Sequence, residues 1–264
     1  MKVSIVTLSY NQRAFLREAI DSVLKQDHKD VEYIIVDPGS TDGSRELIES
    51  YRSRVSHVVL EPDKGAADGL NKGFALAGGE VFGFLNADDF LLPGALRSVE
   101  EFFRAHPKCD IAMGNGYVVD AQGQHLRHLR ARNFSVQTYL YGGTRWLQQA
   151  TFFRREAFRR SPGFNVQNRT CWDGELFVSM AQMGAVIGYI DGDLGAFRLH
   201  SASISGSKRL EGPYEKDCRR IFRQIRGREW RSVDELLSIF HRGKALLLRT
   251  TLRLRATAGK KVSV

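Results

Sequence analysis

The first third of the chain alternates short apolar runs with helical patterns, and this alternation limits the available folds more than any other feature. The apolar runs cover residues 2–8, 33–36, 55–60 and 81–85, and a segment with helical spacing follows each of the first three. Strands that alternate with helices are typical of βαβ units, whose strands pair in parallel. We therefore predict an α/β fold with a mainly parallel, Rossmann-like sheet flanked by helices.

The second half of the chain has a mixed pattern. Residues 111–119 and 126–129 are predicted to form a hairpin across a turn at 120–123, and residues 149–153 another short strand. Residues 172–183 have helical spacing. Beyond about Ser207 the chain becomes polar and basic with leucines at helical spacing, which indicates a small basic helical appendage at the C-terminal end.

The net charge of +9, from 39 basic and 30 acidic residues, is concentrated in this appendage. From Arg219 onward thirteen lysines and arginines face three acidic residues, whereas the rest of the chain is close to neutral. This distribution argues against a function of the whole domain in binding nucleic acid.

Within the tail, residues 236–255 are predicted to form an amphipathic helix. Its apolar side is expected to carry Leu237, Phe240, Leu247, Leu248 and Leu254. Three partners fit such a helix: an anionic membrane surface, the protein's own domain, and a second subunit in a homodimer.

The cysteines and the lack of long apolar runs predict the cellular compartment of the protein. Cys109, Cys171 and Cys218 are odd in number and show no Cys-x-x-Cys spacing, which argues against a disulfide framework and a zinc site. No run of 18 or more apolar residues appears, so we expect neither a signal peptide nor a membrane span. The expected location is the cytoplasm, with peripheral attachment to the inner face of the plasma membrane as an option that depends on the tail.

Acidic and small polar residues follow four predicted strands, at positions 9–11, 37, 61–63 and 86–89. In an open parallel sheet ligands bind outside the carboxyl ends of the strands, so these loops should converge on one site. Clustered carboxylates repel one another unless a cation or a proton neutralises them, and Mg²⁺ and Mn²⁺ favour oxygen ligands. A divalent metal that holds a diphosphate satisfies both requirements.

The same loops carry motifs in a recognisable order. The segments VSIVTLSYN (3–11), IVDPGSTDGS (35–44), EPDKG (61–65) with NKG (71–73), and FLNADD (84–89) resemble the successive motifs of family 2 glycosyltransferases with the GT-A fold. Weaker agreement continues through ATFFR (150–154), WDGEL (172–176) and RLH (198–200). The resemblance therefore covers most of residues 1 to about 206.

The resemblance implies a role for each matching residue. The implied contacts with the nucleotide sugar are Thr7, Ser9, Tyr10, Asp37, Asp63, Asn71, Asn86 and Asp88. Among them, Asp37 would hydrogen-bond the base, commonly uracil. The implied metal ligands are Asp88, Asp89 and His200, and the implied catalytic base is Asp173, with Glu175 as the second candidate.

Two positions depart from the family pattern, and some residues have ordinary structural interpretations. Asn86 stands where many members have the first acid of the D-x-D element, and its amide supplies hydrogen bonds but no charge. Pro38 replaces an acid that often follows the base-binding aspartate. Turn or capping chemistry is an alternative for Asp37 and is favoured for Asp42, and Glu175 fits an exposed helix position.

The resemblance implies an inverting, metal-dependent glycosyltransferase. It would move a sugar from a nucleotide-diphosphate donor, expected to be a UDP-sugar, to a hydroxyl of a glycan or lipid-linked glycan, with Mn²⁺ or Mg²⁺ as cofactor. Residues 1–90 would bind the nucleotide, residues 91–206 would shape the acceptor site, and residues 207–264 would form the tail. Two other classes stay open: a non-catalytic scaffold that binds a nucleotide sugar, and a sugar-phosphate nucleotidyltransferase, although the loop at 9–13 lacks the glycines expected for triphosphate binding.

Overall fold

The computed structural model describes residues 1–201, Ser203 and residues 210–258, with side chains described as far as Ala245. The strands are β1 (Val3–Leu8), β2 (Val31–Val36), β3 (His57–Val59), β4 (Val81–Asn86), β5 (Phe90–Leu91), β6 (Ile111–Val119), β7 (His125–Leu129), β8 (Thr151–Arg154) and β9 (Ile187–Arg198). The helices are α1 (Arg13–Leu24), α2 (Ser44–Ser50), α3 (Ala66–Leu76), α4 (Ala95–Ala105), α5 (Val136–Leu140), α6 (Arg155–Arg160), α7 (Trp172–Gln182), α8 (Glu211–Arg226) and α9 (Ser232–Ala258).

The strands form one sheet in the order β3-β2-β1-β4-β8-β6-β9-β5, with β7 paired to β6. β1 pairs in parallel with both β2 and β4, and β2 pairs in parallel with β3. Beyond β4 the pairs are antiparallel except β6 with β9. The predicted α/β fold is confirmed, with its parallel part in the first four strands. The second half of the sheet is mixed because β8 enters it antiparallel to both of its neighbours.

The order of the strands reverses at β1. The chain runs outward from β1 to β2 to β3 and then returns to place β4 on the other side of β1. Because the connections on the two sides of such a point diverge, a crevice opens at the carboxyl ends of the two central strands. The motif-bearing loops after β1 and β4 border this crevice.

Four elements of the second half match the sequence prediction, and one strand does not follow from it. The predicted hairpin is present as β6 and β7, the short strand predicted over 149–153 is β8, and the helix predicted over 172–183 is α7. Strand β9 is not indicated by its own sequence, because residues 187–198 contain three glycines and two aspartates. It forms because its backbone pairs in parallel with β6 over most of the length of both strands.

Apolar side chains cover both faces of the sheet. One core lies beneath α1, α2 and α4, and the other beneath α3, α6 and α7. Close packing is clearest at Gly73 of α3, where a Cβ atom would come within 2.5 Å of Val6 Cγ1. Helix α3 therefore rests directly on β1, next to the crevice.

The described part of the basic tail packs on the rest of the protein. In α8, Ile221 and Phe222 are buried, and the Asp217 carboxylate accepts hydrogen bonds from the Arg169 amide and the Thr170 hydroxyl. Helix α9 includes the segment predicted to be amphipathic. Across the described residues, no helix combines the length and the apolar content needed to cross a bilayer. The division of the chain at residue 206 stays a prediction.

Candidate active site

The loops predicted to form the ligand site begin next to one another at the carboxyl ends of the parallel strands. The Ser9 amide donates to the Val36 carbonyl at 2.9 Å. On the other side of β1, the Ala87 amide donates to the Leu8 carbonyl at 2.9 Å. These bonds continue the sheet beyond the strands, so the loops after β1, β2 and β4 start at one edge.

Of the three residues at the end of β1 and in the following loop that were predicted to contact the nucleotide, one has a side chain exposed to solvent. Thr7 is fully buried, and its hydroxyl lies 2.9 Å from the Tyr33 hydroxyl, so its side chain belongs to the interior. Ser9 is buried as well. Tyr10 is 62% exposed and is followed by Asn11, whose φ of 52° turns the chain. Tyr10 is thus the ring of this loop that is available for stacking on a base.

Asp37 is fully buried at the end of β2 and accepts hydrogen bonds from its own loop. Its Oδ1 accepts the Ser40 amide at 2.8 Å and the Gly39 amide at 3.0 Å, and its Oδ2 accepts the Ser40 hydroxyl at 2.6 Å. Burial would raise the pKa of Asp37, but these hydrogen bonds outweigh it and lower the pKa. Arg45 approaches the same carboxylate at 3.3 Å. Asp37 is therefore an ionised residue that shapes the loop.

Asp63 and Asn71 belong to the loop after β3 and to α3. Burial raises the pKa of Asp63, and a hydrogen bond from the Gly65 amide at 2.8 Å offsets part of this effect. The Asn71 side chain donates to the Phe164 carbonyl at 2.8 Å and accepts the Phe164 amide at 3.1 Å. Asn71 therefore joins α3 to the loop that leads to α7.

Asp88 and His200 lie next to each other beyond the ends of β4 and β9. His200 Nε2 is 3.0 Å from Asp88 Oδ2, and the two side chains are 7% and 13% exposed. The Phe15 ring packs against the imidazole with 4.7 Å between ring centroids. The fold thus brings one carboxylate and one imidazole together from positions 112 residues apart.

Asp89 does not join this pair. It is buried, and its Oδ1 accepts the Arg198 amide at 2.8 Å while its Oδ2 accepts the side-chain amides of Gln149 and, at 3.2 Å, Asn86. Burial, reinforced by the charge of Asp88, raises the pKa of Asp89 well above its ordinary value. Within the described residues, no three His, Cys, Asp or Glu side chains are grouped as a metal site. The three implied metal ligands are thus divided into a pair and a buried residue.

Arg198 connects the chain segments around the Asp88–His200 pair, and the sequence pattern gives this residue no role in the site. It is 2% exposed, and its guanidinium donates to the Asp88 carbonyl at 2.9 Å and to the Glu18 carboxylate at 2.5 Å. The Phe15 and Phe90 rings lie on its faces at 5.0 and 5.3 Å. A buried guanidinium needs several acceptors, and here they fix the loop after β4 to α1 and β9. The sequence feature that could have indicated a role for Arg198 is its position in the motif RLH (198–200), which ends in His200.

Asp173 occupies the first turn of α7 and is partly buried. Its Oδ1 accepts the Gly174 amide at 2.7 Å. Burial raises the pKa of Asp173 to about 6, although hydrogen bonds from the backbone act in the opposite direction. The segment before α7 contacts the loop after β3, because Arg169 donates to the Lys64 carbonyl. A carboxyl group with this pKa is ionised at neutral pH and can accept a proton.

Glu175, two residues further along α7, has a different environment. Arg220 of α8 binds it through two parallel hydrogen bonds of 2.6 and 2.7 Å. Asn165 and Asn168 donate to the same carboxylate at 3.0 and 2.7 Å. Burial would raise the pKa of Glu175, but these partners lower it. Glu175 is therefore a buried ion-pair residue that joins α7 to α8.

The Asp88–His200 pair has the donor atoms of a metal site that is shared with a ligand. Carboxylate oxygen and imidazole nitrogen both suit Mn²⁺, and Mg²⁺ is commonly held by one or two protein side chains together with phosphates and water. Two protein ligands leave coordination positions for a diphosphate. The pair fits a cation that is bound jointly with a nucleotide diphosphate.

Solved structures share this architecture. A complex of S. aureus TarS (residues 1–349) with UDP-GlcNAc superimposes with a TM-score of 0.69 at 20% identity, over 91% of this chain and 71% of that chain. The mannosyltransferase PcManGT of Pyrobaculum calidifontis, in complex with GDP-Man and Mn²⁺, gives 0.65 at 17% identity, over 98% and 79%. At these identities the likeness concerns the fold, and it confirms the expected GT-A architecture.

Sequence comparisons agree with the structural ones. An uncharacterised glycosyltransferase of Nostoc sp. is 32% identical over 216 residues, which are 77% of this chain and 66% of the relative. The putative teichuronic acid biosynthesis glycosyltransferase TuaG of Bacillus subtilis is 42% identical over 90 residues, which are 33% of this chain and 36% of the relative. The chain thus spans about two thirds and about one third of these relatives. Residues 4–170 match the profile of glycosyl transferase family 2, and the chain belongs to that family.

Proposed function

We propose that this chain transfers a sugar from a nucleotide-diphosphate donor, a UDP-sugar, to a hydroxyl of a glycan or lipid-linked glycan. The observation that carries the proposal is the Asp88–His200 pair beside the point where the strand order reverses. Family membership supports it, as do structural neighbours solved with UDP, with UDP-GlcNAc, and with GDP-Man and Mn²⁺.

On the donor side, the nucleotide lies across the loops after β1 and β2. Tyr10 offers its exposed ring to the base, and the Asp37 carboxylate keeps the loop at 37–42 in shape beside it. Asp88 and His200 would hold Mn²⁺ or Mg²⁺ together with the diphosphate. When bound, such a cation offsets the negative charge that grows on the departing diphosphate. Arg198 donates through its guanidinium to the Asp88 carbonyl and through its amide to the Asp89 carboxylate, and these bonds join the segments that carry Asp88 and His200.

On the acceptor side, Asp173 is the general base. The acceptor oxygen attacks the anomeric carbon, and Asp173 takes the hydroxyl proton. The bond between that carbon and the diphosphate oxygen breaks, and its electron pair leaves on the diphosphate. Because the acceptor attacks from the face opposite the leaving group, the anomeric configuration is inverted. Glu175 is bound to Arg220 and serves as a structural residue.

Calorimetric titration with UDP, in Mn²⁺ and in EDTA, tests the donor site. We expect binding in Mn²⁺ that weakens strongly in EDTA, because the diphosphate would then face Asp88 without a cation. Equal affinity under both conditions would contradict the metal-dependent part of the proposal. A thermal-shift screen of nucleotide sugars then identifies the donor, and acceptor-dependent release of UDP distinguishes a transferase from a scaffold that binds the donor without turnover.

A further inference from the structure

One face of α9 is fixed to the rest of the protein. The buried Asp234 carboxylate accepts the Tyr141 hydroxyl at 2.8 Å and binds the Arg228 guanidinium at 2.6 and 2.8 Å. One and two turns further, Ser238 donates to the Tyr141 carbonyl and the His241 ring stacks on the Tyr141 ring at 5.5 Å. Residues spaced by four and then three positions share one side of a helix, so this side is the packed one.

The opposite face of α9 is apolar and exposed. Val233, Leu236, Ile239 and Phe240 are 52%, 68%, 61% and 62% exposed. With about 100° of rotation per residue, Leu236, Ile239 and Phe240 lie across the helix from the packed side, and Val233 lies at the flank beside them. Single exposed apolar side chains are common on proteins, but four on adjacent turns of one helix form a continuous apolar stripe. The sequence pattern predicts Leu237 on the apolar side of this helix, but Leu237 is only partly exposed. The exposed apolar stripe is therefore rotated around the helix relative to the predicted apolar side.

The chemistry around this apolar stripe is strongly basic. From Leu236 to the end, the chain contains seven lysines and arginines and no aspartate or glutamate. Arg242 and Lys244 are among the exposed residues of the described part. Within the span of the stripe, Asp234 is buried and Glu235 is exposed, so the cationic excess comes from the residues that follow. An apolar face followed by a strongly cationic segment is the arrangement that binds the interface of anionic bilayers.

We propose that α9 docks on the surface of an anionic phospholipid bilayer, with the apolar stripe between the headgroups and the basic side chains on the phosphates. Charge decides between a bilayer and a second copy of the chain. A symmetric dimer through α9 would bring together two helices that each carry five basic residues and two acidic ones, and one of the acidic residues, Asp234, is already bound by Arg228. A bilayer of anionic lipids supplies the opposite charge.

The docked helix lies near the acceptor side of the candidate active site. His241 contacts Gly143, just after α5, and the Tyr139 ring of α5 packs against Gly174, the neighbour of Asp173. A membrane on the exposed face of α9 would therefore be connected to the start of α7 through α9 and α5. This connection suits an acceptor held in the membrane and rests on the proposed function, whereas membrane binding itself does not.

Co-sedimentation of the full chain with vesicles tests the proposal. We expect binding to vesicles that contain phosphatidylglycerol, little binding to phosphatidylcholine alone, and weakening by salt. The double substitution Leu236→Ser with Phe240→Ser should lower affinity for the anionic vesicles by about tenfold or more, because two apolar side chains lose their insertion. The matched control is Leu76→Ser with Leu126→Ser, which removes two exposed apolar side chains elsewhere and should bind like the unmodified chain.

A second variant reports insertion directly and keeps the stripe apolar. The chain has three tryptophans of its own, so Phe240→Trp is compared with the unmodified chain, and brominated lipids in anionic vesicles should quench the additional indole fluorescence of the variant. The proposal is overturned if binding is equal for both vesicle types or absent, if Leu236→Ser with Phe240→Ser binds normally, or if the indole is not quenched. It is also overturned if the chain is a dimer that the double substitution dissociates. None of these outcomes depends on sugar transfer, so they leave the proposed function untouched.

Discussion

Asp173 and Glu175 show how two carboxylates in one helical turn acquire opposite properties. Asp173 gains no buried cationic partner among the groups that shift its pKa, and burial raises that pKa to about 6. Glu175 receives a guanidinium and two side-chain amides, which lower its pKa. A weakly basic, ionised carboxylate cannot take a proton as readily as one whose pKa is near neutrality. At the residue scale, the environment thus favours Asp173 as the base.

Replacing Asp173 with asparagine tests this assignment. Asp173→Asn should lower turnover about a hundredfold or more, the usual scale for the loss of a general base, and leave UDP affinity nearly unchanged. Glu175→Gln is the comparison, and it should act mainly on stability. If Asp173→Asn keeps normal turnover while Glu175→Gln abolishes it, the base is Glu175; if neither matters, the base lies elsewhere.

The pH dependence of turnover follows from the raised pKa of Asp173. Its carboxyl group accepts a proton only when ionised, so activity should be constant above about pH 6 and fall about tenfold per pH unit below it. Initial rates with saturating donor and acceptor between acidic and neutral pH measure this profile. A profile without an acidic limb would contradict the assignment.

Adjacent Asp88 and Asp89 should respond differently to the same substitution. Asp88→Asn removes the carboxylate that we propose as a metal ligand beside His200, so UDP affinity in Mn²⁺ should fall by at least about tenfold toward its value in EDTA, with an unchanged melting temperature. Asp89→Asn replaces an acceptor of the Gln149 amide with a donor, so it should lower the melting temperature. Calorimetry and thermal denaturation of both variants check the distinction, and the reverse pattern would exchange the two roles.

At the scale of elements, the ion pair between α7 and α8 fixes the helix that carries Asp173. The Arg220 and Glu175 side chains are 19% and 11% exposed, so Arg220→Ala would leave a largely buried carboxylate without its cation. We expect a loss of about 3 kcal/mol in unfolding free energy, measured by urea denaturation.

Another arginine of α8, which pairs with a residue beyond the end of that helix, provides the control for Arg220→Ala. Arg223 binds Glu229 at 2.9 Å with both side chains exposed, so Arg223→Ala should cost less than about 1 kcal/mol. If Arg220→Ala and Arg223→Ala lowered the unfolding free energy by similar amounts, the ion pair between α7 and α8 would contribute no more than an exposed one. A double substitution of Arg220 and Glu175 should recover part of the loss, because no unpaired charge is then buried.

At the scale of the whole molecule, the basic tail has a packed part and an outer part. Truncation after Gly206 removes Arg220, Asp217 and the buried Ile221 and Phe222, so the remaining protein should melt at a clearly lower temperature or fail to accumulate. Truncation after Ala245 keeps the contacts of Tyr141 with Asp234 and His241 and should melt close to the full chain. Calorimetric melting of both fragments checks this, and an intact transition in the shorter one would establish residues 1–206 as an independent domain.

The sequence by itself determined the strands and helices of the first third, the chemical character of the loops, and the family. These features depend on local periodicity and on the residue types at strand ends. Both can be read from the amino-acid sequence alone. Local pattern was insufficient for β9, which exists because β6 offers it a partner.

Only the tertiary structure decided which surroundings each of two neighbouring carboxylates has. Asp88 meets an imidazole 112 residues away, whereas Asp89 meets the Arg198 amide and the Gln149 side chain. Asp173 and Glu175 are separated in the same way by Arg220, 45 residues beyond Glu175. The physical reason is that ionisation, hydrogen bonding and burial of a carboxylate depend on groups that are close in space, and those groups are far away along the chain.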